Sequence, residues 1–117
     1  MLKLFLLQSG FTDSKYPGQQ FICPDCLMLE GYLSVYPQLA KTLEISRIAY
    51  PKPRPEITAL LGDAQSCPVL ILDREVSEVD AKLFKVRQSV HGTRFINSVH
   101  HIIGYLAREH RLASTHP

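Results

Sequence analysis

Apolar residues occur in short runs separated by polar turns, and each run predicts one element of the fold. The nearly continuous apolar run at residues 2–7 predicts a first strand that is buried on both faces of a sheet. Residues 9–22 contain glycine and proline without a hydrophobic period, which predicts a long loop. Apolar residues then recur on one face of residues 24–36, with Pro24 at a favourable first position, and predict a helix that Pro37 ends.

The middle of the chain continues this alternation of strand and helix. Residues 43–50 begin with alternating apolar and polar positions and predict a second strand. Residues 55–61 open with a proline and predict a short helix that Gly62 ends. The apolar residues 69–72 predict a third strand, which the chain enters through Cys67 and Pro68.

The last third is harder to interpret because residues 73–93 are charged and show no clear period. Within them, residues 83–86 suggest a strand. Phe95 and Ile96 predict the end of a last strand, and Asn97 or Ser98 then caps an amphipathic helix that runs to His110. The order of these elements indicates an α/β fold with a right-handed first crossover.

Length, charge and composition narrow the class of protein. The 117 residues suffice for one core, so we expect a single domain at residues 1–112 and a disordered tail at residues 113–117. Thirteen basic and 11 acidic residues give a net charge of +2, without a basic run interleaved with aromatics, which argues against nucleic acid as a partner. The sequence shows no signal-peptide or membrane-span pattern, so we expect a cytoplasmic protein that does not bind membranes.

Two of the three cysteines form the motif Cys23-Pro24-Asp25-Cys26 at the predicted start of the first helix. Free N–H groups and the helix dipole at this position stabilise a thiolate on Cys23, while the carboxylate of Asp25 opposes that charge. We expect Cys23 to attack a disulfide and Cys26 to resolve the mixed disulfide, with no cofactor required.

The motif also has two other interpretations. The cysteines could be inert helix residues, or they could contribute to a metal site. Neither Cys67 nor the adjacent His100 and His101 supplies the second ligand pair of a zinc ribbon. Cysteines at this spacing beside a strand–helix–strand pattern favour redox chemistry.

A strand, a Cys-Pro-x-Cys helix start and a proline opening a later apolar strand together resemble the thioredoxin fold. The Cys-Pro-Asp-Cys sequence itself is similar to that of glutaredoxins. The resemblance implies a central mixed four-stranded sheet flanked by helices. It also implies a cis Pro68 packed beside Cys23 and Cys26, where the preceding backbone forms a platform for an extended substrate.

Two further resemblances involve other parts of the chain. Pro68-Val69-Leu70, Phe95-Ile96 and residues 102–107 resemble the N-terminal domain of glutathione transferases, which bind the glutamyl end of glutathione through an acidic residue and a serine. Ser98 and Val99 occupy those positions here, so the resemblance does not extend to that binding pair. Through Cys23-Pro24-x-Cys26, Glu30-Gly31 and Pro53-Arg54, the whole chain is also similar to an uncharacterised bacterial family of small thioredoxin-like proteins.

Cys67 and Arg54 are further candidate site residues. The thioredoxin resemblance implies that Cys67 lies beside the other two sulfurs, where it would form a thiol-rich site for zinc or an iron–sulfur cluster, act as a second resolving thiol, or fill a half-buried slot. Arg54 would bind a carboxylate or phosphate near the dithiol, or else be a solvated linker residue.

Other polar residues have weaker cases. Glu30 would relay a proton from Cys26, although a solvated helix position is the more common outcome for such a carboxylate. Lys15 and Tyr16 in the long loop could cover the dithiol. His100 and His101 fall off the apolar stripe of the last helix and are expected at the surface.

Three hypotheses for function follow. The first is a thiol–disulfide oxidoreductase acting on a protein disulfide or a low-molecular-weight thiol. The second is a metal or iron–sulfur protein that uses Cys23, Cys26 and Cys67. The third is a non-catalytic thioredoxin-fold interaction module, which could be a homodimer, in which the cysteines are incidental and partners dock on the proline-rich edge.

Overall fold

Five strands form one mixed sheet in the computed structural model, which describes residues 1–117. The strands follow the sheet order β2-β1-β3-β5-β4. Their bounds are β1 Leu2–Leu7, β2 Leu43–Ile48, β3 Val69–Ile71, β4 Arg87–Gln88 and β5 Arg94–Ile96. The helices are α1 Pro24–Val35, α2 Pro55–Leu61, α3 Glu78–Leu83 and α4 Val99–His110, with a short 3-10 helix at Pro37–Lys41.

Strand β1 lies in the interior of the sheet, as its continuous apolar run predicts. It pairs in parallel with β2, in a register that joins Leu2 to Leu43, and antiparallel with β3, in a register that joins Phe5 to Val69. Five of its six residues are buried. Because β3 runs opposite to β1, the start of β3 and the end of β1 meet at the same edge of the sheet.

Helices α1 and α4 pack against each other, and α4 also contacts β3. Helix α4 buries an apolar stripe that includes Ile102, Ile103 and Leu106, as its pattern predicts. Both helices contribute to the single core cluster of the domain. None of the helices is long and apolar enough to span a membrane.

The sheet has five strands, so the expectation of four is wrong. The additional strand, β4, is two exposed residues long and pairs antiparallel with β5. Such a short, solvent-exposed strand carries no hydrophobic alternation that a sequence pattern could detect.

The expected strand at residues 83–86 is also wrong, because Leu83 is the last residue of α3. Ser77 is the N-cap of this helix, and its hydroxyl accepts the N–H of Asp80 at 3.1 Å. Leu83 is exposed, whereas Phe84 is buried edge-on against Tyr105 of α4. Residues 83–86 therefore form the end of a helix and the turn that follows it, and not a strand.

The tail is attached to α1 at its first residue. The Tyr32 hydroxyl donates to the Ala113 carbonyl at 2.7 Å, and the Ala113 N–H donates to the Tyr36 hydroxyl at 3.1 Å. The domain limit at residue 112 stays a prediction, but Ala113 is bound to the folded chain.

Candidate functional site

Cys23 is the N-cap residue of α1, directly before Pro24 at the first helical position. Its backbone is extended, and its Sγ accepts the N–H of Cys26 at 3.2 Å. A sulfur at this position receives a free N–H of the first helical turn, together with the positive end of the helix dipole. Cys23 is half-buried.

Cys26 lies one turn further along α1 and is only 2 % exposed. Its Sγ accepts the N–H of Leu7, the last residue of β1, at 3.4 Å. Burial is the main cause that raises the pKa of the Cys26 thiol to about 12, and its hydrogen bond with Cys23 contributes to the same rise. Cys26 is therefore a protonated thiol at neutral pH, held behind the more accessible Cys23.

Pro68 precedes β3 and is fully buried, and the Cys67–Pro68 peptide bond is cis. The register of β1 and β3 brings Pro68 to the end of β1 from which Leu7 reaches Cys26. The carbonyl oxygen of Cys67 lies 4.0 Å from the Sγ of Cys23. Neither the N–H nor the carbonyl of Cys67 has a backbone hydrogen bond, and the partner of the carbonyl is the Cys23 thiol.

The Cys67 side chain is half-buried, and all three cysteines are free thiols. Burial raises the pKa of the Cys67 thiol to about 11, and the nearby charge of Arg54 works in the opposite direction. At neutral pH, therefore, Cys67 is a neutral thiol close to Cys23.

The three sulfurs do not fit a metal site in this arrangement. No group of three or more histidine, cysteine or acidic side chains is gathered closely enough to hold a metal ion. Zinc needs four ligands in a tetrahedron, and iron–sulfur clusters need about as many thiolates. Metal binding by Cys23, Cys26 and Cys67 stays a prediction.

Arg54 is a buried residue that connects two loops and is only 6 % exposed. Its guanidinium donates to the Tyr50 carbonyl through Nε and Nη2, at 2.9 and 2.6 Å, and to the Gln65 carbonyl through Nη1 at 2.7 Å. The side chain of Gln65 in turn accepts the backbone N–H of Arg54. These contacts give Arg54 a role in holding the loops beside Cys67, and anion binding by Arg54 stays a prediction.

The long loop before Cys23 forms an aromatic pocket that the sequence reasoning missed. Phe11 and Phe21 pair through two backbone hydrogen bonds of 3.1 and 2.7 Å, which close the loop at its base. The Phe11 ring stacks on Tyr50 with centroids 4.2 Å apart. Asp13 and Tyr16 line the same pocket, together with Pro24. Three aromatic residues within one polar loop, Phe11, Tyr16 and Phe21, were the signal that could have predicted it.

The remaining candidate residues make structural contacts with side chains other than the cysteines. Glu30 forms a bidentate ion pair with Arg47 of β2, at 2.7 and 2.8 Å. This ion pair lowers the pKa of the Glu30 carboxyl group. That contact directs Glu30 toward β2 and offers no support for a proton relay. His101 bonds the Ser98 hydroxyl at 2.8 Å, and Val99 is buried in the core.

Comparison with known proteins identifies the family of this chain. A family model described as "Protein of unknown function (DUF3088)" matches residues 2–114. No curated protein and no solved structure gives a significant match. Since the family model covers nearly the whole chain, the protein belongs to the DUF3088 family of proteins of unknown function.

Proposed function

We propose that this protein is a thiol–disulfide oxidoreductase of thioredoxin-like type, with Cys23 as nucleophile and Cys26 as resolving thiol. The observation that carries the proposal is the pairing of a half-buried cysteine at a helix N-cap with a buried cysteine one turn further in. The hydrogen bond from the Cys26 N–H to the Cys23 Sγ favours negative charge on the sulfur that meets the substrate. The buried Cys26 is protected from reacting first.

The reaction proceeds in two exchanges. The Cys23 thiolate attacks one sulfur of a substrate disulfide, which forms a mixed disulfide and releases the other sulfur as a thiolate. That thiolate takes the proton of Cys26, and the Cys26 sulfur then attacks the Sγ of Cys23. The mixed disulfide breaks, the second substrate thiol leaves, and an intramolecular Cys23–Cys26 disulfide remains. Two equivalents of an external thiol, or one dithiol, restore the reduced protein.

The parallel unit of β1, α1 and β2, followed by the antiparallel β3 and β5, supports the thioredoxin-like assignment. In this proposal, Pro68 and the unpaired backbone of Cys67 form the platform on which an extended substrate chain lies. The substrate is a protein disulfide or a low-molecular-weight disulfide, and the protein works without a cofactor.

The test is reduction of insulin and of 2-hydroxyethyl disulfide, with dithiothreitol as electron donor. Wild-type protein should accelerate both reactions, and Cys23→Ser should abolish the acceleration. Cys26→Ser should accumulate a mixed disulfide on Cys23, visible by mass spectrometry as the added mass of one substrate thiol. Cys67→Ser is the matched control, because it removes a neighbouring thiol but leaves the dithiol.

Two results would refute the proposal. One is a wild-type rate no faster than that of dithiothreitol alone. The other is a Cys23→Ser variant with wild-type activity, which would mean that another group carries the reaction. Retained activity in Cys67→Ser together with loss in Cys23→Ser would support the roles assigned here.

A further inference from the structure

The aromatic pocket beside Cys23 is small and apolar, with one charged residue in its wall. Its volume is about 280 Å³, which suits a group the size of one side chain more than a whole drug-sized ligand. Its rings come from Phe11, Tyr16, Phe21 and Tyr50. Pro24 also lines the pocket, and its Cα lies one peptide unit, about 3.8 Å, from that of Cys23.

The pocket is held in shape by its own contacts. Phe11 and Tyr50 stack with an interplanar angle of 2°, and Tyr16 meets the edge of Phe21 with centroids 5.7 Å apart. The backbone pairing of Phe11 with Phe21 fixes two of these rings relative to each other. Little ordering is therefore needed when a ligand binds.

Asp13 is the charged residue in this wall. Its carboxylate accepts the Lys15 backbone N–H at 3.0 Å and the Tyr50 hydroxyl at 3.3 Å. It forms no ion pair with any basic side chain. A carboxylate accepts about four hydrogen bonds, so Asp13 retains capacity for a donor inside the pocket.

An unpaired carboxylate among aromatic rings favours a positively charged ligand. Ring faces attract ammonium and guanidinium groups, and a carboxylate at hydrogen-bond distance adds Coulomb attraction. The nearby cation, Arg54, lies 5.5 Å from the Tyr50 ring centroid and is bound to backbone carbonyls.

We propose that this pocket is a substrate subsite that binds a cationic group carried close to the disulfide that Cys23 attacks. The inference rests on the proposed oxidoreductase function and specifies its substrate class. A disulfide flanked by an amine, or by a lysine or arginine side chain, is the preferred substrate, and a disulfide flanked by carboxylates is disfavoured.

Three disulfides of similar size test this preference: cystamine, which is cationic, 2-hydroxyethyl disulfide, which is neutral, and 3,3′-dithiodipropionate, which is anionic. The measurement is the single-turnover oxidation rate of the pre-reduced protein by each compound. Each rate is divided by the rate at which dithiothreitol reduces the same compound, since charge also changes the intrinsic reactivity of a disulfide. We expect the normalised rate for cystamine to exceed that for the neutral compound by roughly 5- to 10-fold, and the anionic compound to be slowest.

Asp13→Asn should remove most of the preference, so that the normalised rate for cystamine falls toward that for 2-hydroxyethyl disulfide. The asparagine Oδ1 can still accept the Lys15 N–H, and its Nδ2 can donate to the Tyr50 hydroxyl oxygen, so the loop should keep its structure. Glu75→Gln is the control for loss of one negative charge, because Glu75 is exposed and pairs with Arg94 beyond the far end of β3. It should retain the wild-type preference.

A binding measurement separates this inference from the proposed function. Propylammonium should shift the ring-proton resonances of Phe11 and Phe21 saturably in NMR spectra of the wild type, and propionate should not. Equal normalised rates for the three disulfides would overturn the inference and leave the oxidoreductase function standing. If no disulfide oxidises the protein, the function falls, and the propylammonium titration alone then decides whether the cation site exists.

Discussion

At the scale of single residues, Cys26 and Cys23 have different environments although two residues separate them. The Cys26 sulfur is buried behind the end of β1, whereas Cys23 reaches the surface. Burial disfavours a thiolate because the charge loses its hydration, so the pKa of Cys26 rises to about 12. A thiol that is neutral at physiological pH but adjacent to the reactive sulfur is suited to the second step of an exchange.

The raised pKa of Cys26 predicts a specific loss of stability in alkali. In the unfolded chain the thiol ionises near its ordinary pKa of 9.0, while in the folded protein it stays neutral until about pH 12. The stabilisation from Cys26 is therefore complete below pH 9 and is lost as the pH rises from 9 toward 12. The free energy of unfolding should fall by up to about 1.4 kcal/mol per pH unit for this group.

Urea unfolding of the reduced protein between pH 8 and 11 measures this effect. Cys26→Ala should be less stable than wild type at every pH because of the cavity, but its stability should decline less steeply above pH 9. Parallel curves for the two proteins would show that Cys26 ionises equally well in the folded and unfolded chains.

At the scale of elements, α3 and α4 end in the same way. Lys85 after α3 and Arg111 after α4 have positive φ angles of 49° and 55°. The next residue in each case donates its N–H to the carbonyl five positions back, Val86 to Ala81 and Leu112 to Ala107, at 2.8 Å. This is the Schellman arrangement, which glycine usually completes.

Glycine at these two positions should therefore stabilise the protein. A side chain in the left-handed region costs about 1 kcal/mol, and Lys85→Gly or Arg111→Gly removes that cost. Lys82→Gly is the matched control for the first variant, because Lys82 lies inside α3, where glycine should destabilise by about 1 kcal/mol. Opposite shifts of the thermal midpoint for Lys85→Gly and Lys82→Gly are expected. A fall in both would contradict the assigned helix end.

At the scale of the whole molecule, the candidate site is assembled from segments that are far apart in the chain. The end of β1, the start of α1 and the turn before β3 meet because β1 pairs with β3 in the centre of the sheet. Arg54 adds a further connection, because its guanidinium binds the carbonyls of both Tyr50 and Gln65. Loops that would otherwise move independently are thereby held beside Cys67.

Replacement of Arg54 tests that connection. Arg54→Met should lower the free energy of unfolding by about 2–4 kcal/mol, since it leaves the carbonyls of the half-buried Tyr50 and Gln65 without their charged donor. Arg54→Lys keeps the charge but cannot form the fork of bonds, so it should fall between methionine and wild type. Arg87→Met is the surface control, because Arg87 is exposed on β4. The measurement is the free energy of urea unfolding of each variant. If the values for Arg54→Met and Arg87→Met differ by less than about 0.5 kcal/mol, which is the effect of an ordinary surface substitution, this role for Arg54 is excluded.

The sequence predicts most of the regular elements, and its errors have identifiable causes. The apolar runs of β1, β3 and α4 are strong signals because burial follows the period of the element. Residues 83–86 were misassigned because Lys85 stands where glycine would have marked a helix end. Strand β4 was missed because both of its residues are exposed.

The candidate site was predicted less completely than the fold. The position of Cys23 before a helix follows from local sequence, and the proximity of Pro68 followed from a family resemblance. Arg54 lies between two prolines and its sequence context is that of an exposed linker, yet it is buried and three of its donors bind backbone carbonyls. The stacking of Phe11 on Tyr50 joins residues that are 39 positions apart, and no local pattern encodes it.

By itself, then, the sequence determined that a dithiol stands at the start of a helix in an α/β chain, because helix capping depends on residues within one turn of each other. Only the tertiary structure decided that Cys26 is buried, that the Cys67 backbone faces Cys23, and that Asp13 lies among aromatic rings. These properties depend on burial and local dielectric, which arise when strands and loops distant in sequence pack together.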